Sequence, residues 1–219
     1  MRYSLTMRVF FLPLLFLPSV LLCQPSSLKD SLSAAFDEAP RLVVRFETRN
    51  SFVTGKPAHV RGLKAGYQFG ETVVLGVGYH WLERKLTQEL VVNTPDGQEV
   101  VDAEIRMDYV SAHFDYTFYR QNNWYVSIPV QLGFGRSSLE YDLEGDSRKT
   151  RFGSMVLYEP AMSVEYRLLK YIGLGAGVGY RLMLLNNKGI DGNFNSPTYS
   201  LRVRLLLGKI YQDWVRNNE

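Results

Sequence analysis

Between Val156 and Leu185 two alternating segments follow one another with almost nothing between them. In the first, Val156, Tyr158, Pro160, Met162, Val164, Tyr166 and Leu168 share one parity, and Gly153, Glu159, Ala161, Ser163, Glu165 and Arg167 share the other. After Leu169-Lys170 the pattern resumes, with Ile172, Leu174, Ala176, Val178, Tyr180, Leu182 and Leu184 set against Gly173, Gly175, Gly177, Gly179 and Arg181. A period of two predicts strands. Crossing a bilayer takes about 9 to 11 tilted residues, and the uncharged apolar parity persists for that distance with tyrosines toward its ends. The opposite parity mixes glycine with charge, which suits the narrow polar interior of a barrel.

The rest of the chain repeats this logic. Leu42, Val44 and Phe46 oppose Arg45, Glu47 and Arg49. After a loop with Gly55 and Pro57, Arg61, Leu63, Ala65, Tyr67 and Phe69 oppose Val60, Gly62, Lys64, Gly66 and Gln68. A tight turn at Gly70-Glu71 leads to Val73, Leu75, Val77, Tyr79 and Trp81 against Val74, Gly76, Gly78 and His80. Beyond Trp81 the apolar parity fails at Glu83, Lys85, Thr87 and Glu89. Residues 82–106, with a reversal signal at Thr94-Pro95-Asp96-Gly97, are expected to form a hairpin projecting into water.

Val110, Ala112, Phe114, Tyr116 and Phe118 restore the lipid-type face against Ser111, His113, Asp115 and Thr117. A turn at 120–123 precedes Trp124, Val126, Ile128, Val130, Leu132 and Phe134. Long polar loops are expected at 139–150 and 186–197. The last strand alternates Tyr199, Leu201, Val203, Leu205 and Leu207 with Ser200, Arg202, Arg204 and Leu206.

Eight strands are predicted, an all-β, antiparallel up-and-down transmembrane barrel. Short connections near 70, 121 and 169 oppose longer ones near 54, 94, 145 and 191, the asymmetry of short periplasmic turns and long external loops. Both termini then lie on the periplasmic side. Phe69, Phe118, Trp124, Tyr166 and Tyr211 mark one membrane interface, and Trp81, Phe152 and Tyr199 the other.

Arg2 and Arg8 precede an apolar run, Val9 to Leu22, interrupted by Pro13 and Pro18, which reads as a secretory signal peptide over 1–23. Lipidation at Cys23 is the competing reading, but Leu22 is larger than the residue usual before such a cysteine. Losing Arg2 and Arg8 with no acid brings the 25 basic residues to 23 against 22 acidic ones, no footprint for nucleic acid. Residues 24–40 form a polar leader, with Leu28, Leu32, Ala35 and Phe36 at helical spacing after a Ser27 cap; a short amphipathic helix and a disordered leader are the two alternatives. The barrel is expected over 41–211, with a periplasmic tail over 212–219.

From Leu42 to Tyr211 the chain resembles the small single-chain outer-membrane β-barrels of the OmpX and OmpA type. The resemblance is one of architecture. It implies export to the outer membrane of a Gram-negative bacterium, contact with outer-membrane lipids and lipopolysaccharide, and recognition by the barrel assembly machinery. Many members end on an aromatic residue that aids assembly. Here Tyr211 has the lipid-facing parity and Gln212 to Glu219 follow it.

The interior parity gathers Arg45, Glu47, Arg49, Lys64, His113, Asp115, Glu159, Glu165, Arg167, Arg181, Arg202 and Arg204. Eight strands leave room only for side chains, and isolated buried charges cost several kcal/mol each, on the order of the effective penalty for an ion in a protein interior. A lumen filled by a paired charge network, without an open pore, is therefore expected. No catalytic residue, metal site or cofactor is assigned.

Three alternatives are weaker. A lipid-modifying barrel, similar to the lipid A palmitoyltransferase, would need a nucleophile, a histidine and an acid at the outer rim; His59, His80 and His113 are the available histidines, and only His80 lies near an outer strand end, without a serine motif. Calcium binding by Glu140, Asp142, Glu144 and Asp146 lacks the spacing of a calcium loop. Met107, Met155, Met162 and Met183 are scattered in the manner of packing residues. A soluble lipocalin-like barrel would turn the apolar parity inward, leaving the sorted loops unexplained. The main expectation is a structural or surface-interaction protein whose external loops meet an extracellular macromolecule.

Overall fold

The computed structural model describes residues 28–53, 56–83, 86–94, 97–143, 145–187, 190 and 194–217. The expected signal peptide with Cys23, the Ser27 cap, Pro95-Asp96 and Glu144 lie outside the described residues. A helix α1 (Leu28–Phe36) precedes β1 (Arg41–Val53), β2 (Lys56–Phe69), β3 (Val73–Leu82), β4 (Leu86–Thr94), β5 (Gly97–Gln121), β6 (Trp124–Leu143), β7 (Asp146–Leu169), β8 (Ile172–Leu185), β9 (Ser196–Leu205) and a second helix α2 (Leu207–Arg216).

The strands follow the order β3-β2-β1-β9-β8-β7-β6-β5-β4, and β3 also pairs with β5, from Val73↔Tyr116 to Trp81↔Asp108. That second pairing closes an antiparallel ring of eight strands and leaves β4 outside it. The parities fall as the period of two dictates. Leu63, Val77, Val178 and Leu201 are 52–66% exposed on the outer wall, while Arg45, Lys64, Glu159 and Arg181 are at most 4% exposed inside. A soluble barrel with an apolar interior is thereby overturned.

Glycine makes the inner wall thin where large side chains need room. Gly66 and Gly76 face each other across β2 and β3, and a Cβ on Gly76 would collide with the Ala65 carbonyl oxygen and lie 2.7 Å from His113 Cε1. On β8, Gly173 lies under the Glu165 carboxylate and Gly175 under the Arg202 stem.

Four details differ from expectation. The 82–106 hairpin, formed by β4 and the first part of β5 from Leu86↔Ile105 to Thr94↔Gly97, does not simply project into water. Leu86, Leu90, Ala103 and Ile105 are buried because alternate residues on both arms form an apolar face against the barrel's outer opening. The expected loop at 139–150 is instead strand: β6 runs to Leu143 and β7 begins at Asp146. Leu139 and Leu143 continue the inward parity, at 0% and 8% exposure.

From the 186–197 connection, Ile190 and Phe194 lie buried in the same opening. Asn187 Nδ2 donates to the Ser137 carbonyl (3.2 Å) and the Arg151 carbonyl (2.5 Å), fixing it there. Finally, β9 stops at Leu205 and Leu207–Arg216 are helical, so Tyr211 lies on a helix and not on the last strand. Leu207, Ile210, Tyr211 and Trp214 follow the i, i+3, i+4, i+7 spacing of one helix face.

Candidate functional site

Every one of the charged residues assigned to the interior from the alternation is buried in the lumen, none above 8% exposure. The structure joins ten of the twelve in two groups, leaving out His113 and Arg167. In the upper group Glu159 accepts hydrogen bonds from Arg181 Nε (2.6 Å), Gln131 Nε2 (2.9 Å) and Arg49 Nη1. Arg49 also donates from Nε to Glu47 (3.1 Å) and from Nη2 to Gln131 (2.8 Å). Glu47 additionally pairs with Lys64 (2.7 Å) and Arg202 (3.7 Å).

In the lower group Asp115 meets Arg45 at 2.5 Å and Arg204 at 3.8 Å, and Arg204 Nε reaches Glu165 at 3.0 Å. These residues come from β1, β2, β5, β6, β7, β8 and β9, so most of the ring is cross-linked through its interior. Gln131 bridges both members of the Arg49–Glu159 pair and shares their parity, but as an uncharged residue it carries no ionic signal in the sequence. Among the described residues, seven cations (Arg45, Arg49, Lys64, Arg167, Arg181, Arg202, Arg204) stand against four carboxylates (Glu47, Asp115, Glu159, Glu165) in the lumen.

Both ends of this network are closed. Toward the long hairpins lies an apolar cluster that includes Val60, Met107, Tyr109, Leu139, Met155, Leu157 and Phe194. His80 sits at its base, stacked on Tyr109 with centroids 4.6 Å apart and its Nε2 3.0 Å from Ser111 Oγ. This histidine–hydroxyl pair is enclosed, at 1% and 3% exposure. The rim position that an acyl-transfer role requires is not the one His80 occupies. His113 also points inward, whereas His59 is paired near the surface with Asn50 Oδ1 at 2.6 Å. Glu140 and Asp142, considered for calcium, extend along β6; Glu140 instead accepts from Arg106 Nε at 2.6 Å.

At the short-turn end the closure is Glu71, which the alternation could not reveal because it lies in the β2–β3 turn. Its carboxylate accepts from Arg167 Nη1 (2.6 Å), Arg120 Nη1 (2.8 Å), Tyr125 Oη (3.2 Å) and Lys209 Nζ (3.2 Å). Arg167 lies over the Tyr125 ring, 3.7 Å from its centroid. Burial alone would raise the Glu71 pKa, but hydrogen bonds and charge from Arg167, then Lys209, outweigh it and hold the carboxyl down to about 2. Leu206 closes the floor against Val43 and Val74.

The match with known proteins is one of family and fold. The family model of the outer membrane protein beta-barrel domain matches residues 32–204. No curated protein sequence matches. Among solved structures, Neisserial surface protein A aligns with a TM-score of 0.53 at 16% identity, over 76% of this chain and 96% of that one. OprG of Pseudomonas aeruginosa aligns at 0.47 and 8% identity over 77% and 96%. The Yersinia pestis attachment invasion locus protein Ail, solved with the heparin analogue sucrose octasulfate, aligns at 0.46 and 16% identity over 76% and 97%. With the ring of eight strands, its lipid-type outer face and this match to most of its length, the chain belongs to the outer membrane protein beta-barrel domain family, in the membrane of the Gram-negative envelope.

Proposed function

We propose that this protein is a surface-interaction barrel without an open pore, exported by its signal peptide and inserted by the barrel assembly machinery, whose external hairpins contact lipopolysaccharide and extracellular macromolecules. The observation that carries this is strand length. β5, β6 and β7 have 25, 20 and 24 residues, about twice what a bilayer crossing requires. Their outer portions therefore stand clear of the hydrocarbon.

The lipid-type wall ends near Val110 and Phe134, and Tyr109 pairs with Gly135 just above them. The next outward-facing residues are Asp108, Arg136, Arg106, Ser138, Glu140 and Lys149, which line one concave patch beside Phe152. Arg136 and Lys149 keep 79% and 55% of their side chains exposed. Guanidinium and ammonium groups at headgroup height suit the phosphates of lipopolysaccharide. The filled lumen supports the absence of conduction, since eight strands leave no room for a channel past packed side chains.

The test begins with membrane fractionation and electrophoresis of heated and unheated samples. Lipopolysaccharide retained through purification is then compared between the wild type and an Arg106→Ala/Arg136→Ala/Lys149→Ala variant. The proposal expects a heat-modifiable, alkali-resistant protein in both cases and a several-fold loss of bound lipopolysaccharide in the variant. Equal retention, or channel activity of the wild type in planar bilayers, overturns it.

A further inference from the structure

The helix α2 is out of keeping with the rest of the barrel: none of its residues is buried, and most of its large apolar side chains are exposed. Ile210, Tyr211 and Trp214 are 41%, 67% and 64% exposed. At 100° per residue they cluster with Leu207 on one side of the helix, while Lys209, Asp213 and Arg216 occupy the other. The polar side is the one tied to the barrel. Lys209 Nζ donates to Glu71 (3.2 Å), and Asp213 accepts from Tyr171 Oη (2.7 Å) and pairs with Lys170 (2.6 Å). Gly208 lies against the backbone of Arg41 and Leu42, where a Cβ would meet the Leu42 nitrogen at 2.9 Å. A free tail would turn its apolar side toward the protein and its charges toward water; here the orientation is the reverse.

We propose that α2 is an interfacial helix whose Leu207, Ile210, Tyr211 and Trp214 side is immersed in the periplasmic leaflet, at the boundary between headgroups and acyl chains. Continuity with the lipid-facing wall identifies the occupant as lipid. Leu205 and Val203 on β9, Leu174 on β8 and Leu168 and Leu169 on β7 are all exposed at the end of the wall from which α2 departs. The helix begins two residues after Leu205, directly below that wall. Tyrosine and tryptophan are the side chains that favour this depth, and a short helix with one apolar side and one ionic side lies in the plane of the interface. Lys170 and Arg216, 59% and 72% exposed beside Asp213, sit where lipid phosphates are found. The polar contacts to Glu71 and Tyr171 fix the helix to the barrel's mouth and keep its apolar side turned to the leaflet.

The experiment uses the full mature protein purified from membranes and reconstituted in phosphatidylglycerol/phosphatidylethanolamine vesicles. Trp214 is isolated by Trp81→Phe and Trp124→Phe, and its fluorescence is measured with lipids brominated near the headgroup end or near the methyl end of their chains, and with aqueous acrylamide. Immersion predicts blue-shifted emission, at least two-fold stronger quenching by the headgroup-proximal bromines, and several-fold weaker acrylamide quenching than for free tryptophan. If the isolating substitutions prevent folding, subtracting the signal of Trp214→Phe from that of the wild type gives the same quantity. A Trp214 quenched freely by acrylamide and indifferent to brominated lipid overturns the proposal, as does one shielded from both, which would mean that protein covers the helix.

Discussion

Arg167 Nη1 donates to Glu71 Oε1 at 2.6 Å, joining the end of β7 to the β2–β3 turn across 96 residues of sequence. With Arg120, Tyr125 and Lys209 on the same carboxylate, one turn residue gathers β5, β6, β7 and α2 over the short-turn mouth of the barrel.

Removing the Glu71 charge should loosen that end without opening the ring. Glu71→Gln is expected to cost about 1–2 kcal/mol, the range for charge-assisted hydrogen bonds discounted for partial exposure. Because the folded carboxyl is held at about 2, below its ordinary 4.5, its stabilisation is complete above roughly pH 4.5 and is lost as pH falls through about 2. Thermal midpoints of wild type and variant should therefore differ by a constant amount at neutral pH and converge at the acid end. A gap that persists unchanged to pH 2 would contradict the assignment.

In the lumen, removing one partner should be worse than removing both. Glu159→Gln leaves Arg181 without a carboxylate and Arg49 with Glu47 alone, and is expected to destabilise the barrel by about 3–5 kcal/mol. Exchanging Glu159 and Arg181 together for Leu and Met should recover part of that loss. Denaturant unfolding in micelles, followed by heat-modifiable mobility, measures both. An unaltered midpoint in Glu159→Gln would show that the pairs contribute little.

The alternation made most of this architecture legible in advance, because lipid outside and charge inside both follow a period of two. It misjudged α2 for a physical reason: Leu207 and Tyr211 continue the odd parity of Tyr199 to Leu205 while also standing four residues apart, so strand and helix agree at those positions. Ile210 and Trp214 were the discriminating residues. The outer apolar cluster was obscured differently. Val60, Met107, Tyr109 and Leu157 share the inward parity with the charges, and attention to ionic residues passed over them. Glu71 left no trace, since a turn residue has no periodicity and its four partners are distant in sequence.

Gly76 should tolerate no side chain. A Cβ there would collide with the Ala65 oxygen and lie 2.7 Å from the Gly66 Cα, both backbone atoms that cannot move aside without parting β2 from β3. Gly76→Val is expected to lower the yield of heat-modifiable protein on refolding into micelles at least several-fold. Gly97→Ala, whose added methyl would have nothing within 4 Å, meets only the strain of its positive φ of 135° in an exposed turn and should hinder folding less. Equal yields for wild type and Gly76→Val would refute the close packing.

Opening the outer cluster should reveal the sign of the interior. Replacing residues 86–105 by a short Gly-Ser turn removes Leu86, Leu90, Ala103 and Ile105 from the lid. Any conductance that emerges in planar bilayers is expected to favour anions, since seven cations and four carboxylates line the path. Cation selectivity would count against the described lumen.

Since β4 pairs with β5 but lies outside the ring closed by β3 and β5, it adds nothing to the barrel's circumference. Mutation can therefore act on the two sides of this hairpin under different rules. Leu86, Leu90, Ala103 and Ile105 answer to the packing beneath them, whereas Thr87, Glu89, Val91 and Asp102 are exposed and constrained by neither lipid nor lumen. The outward side can therefore change residue by residue while the transmembrane ring inherits none of the change.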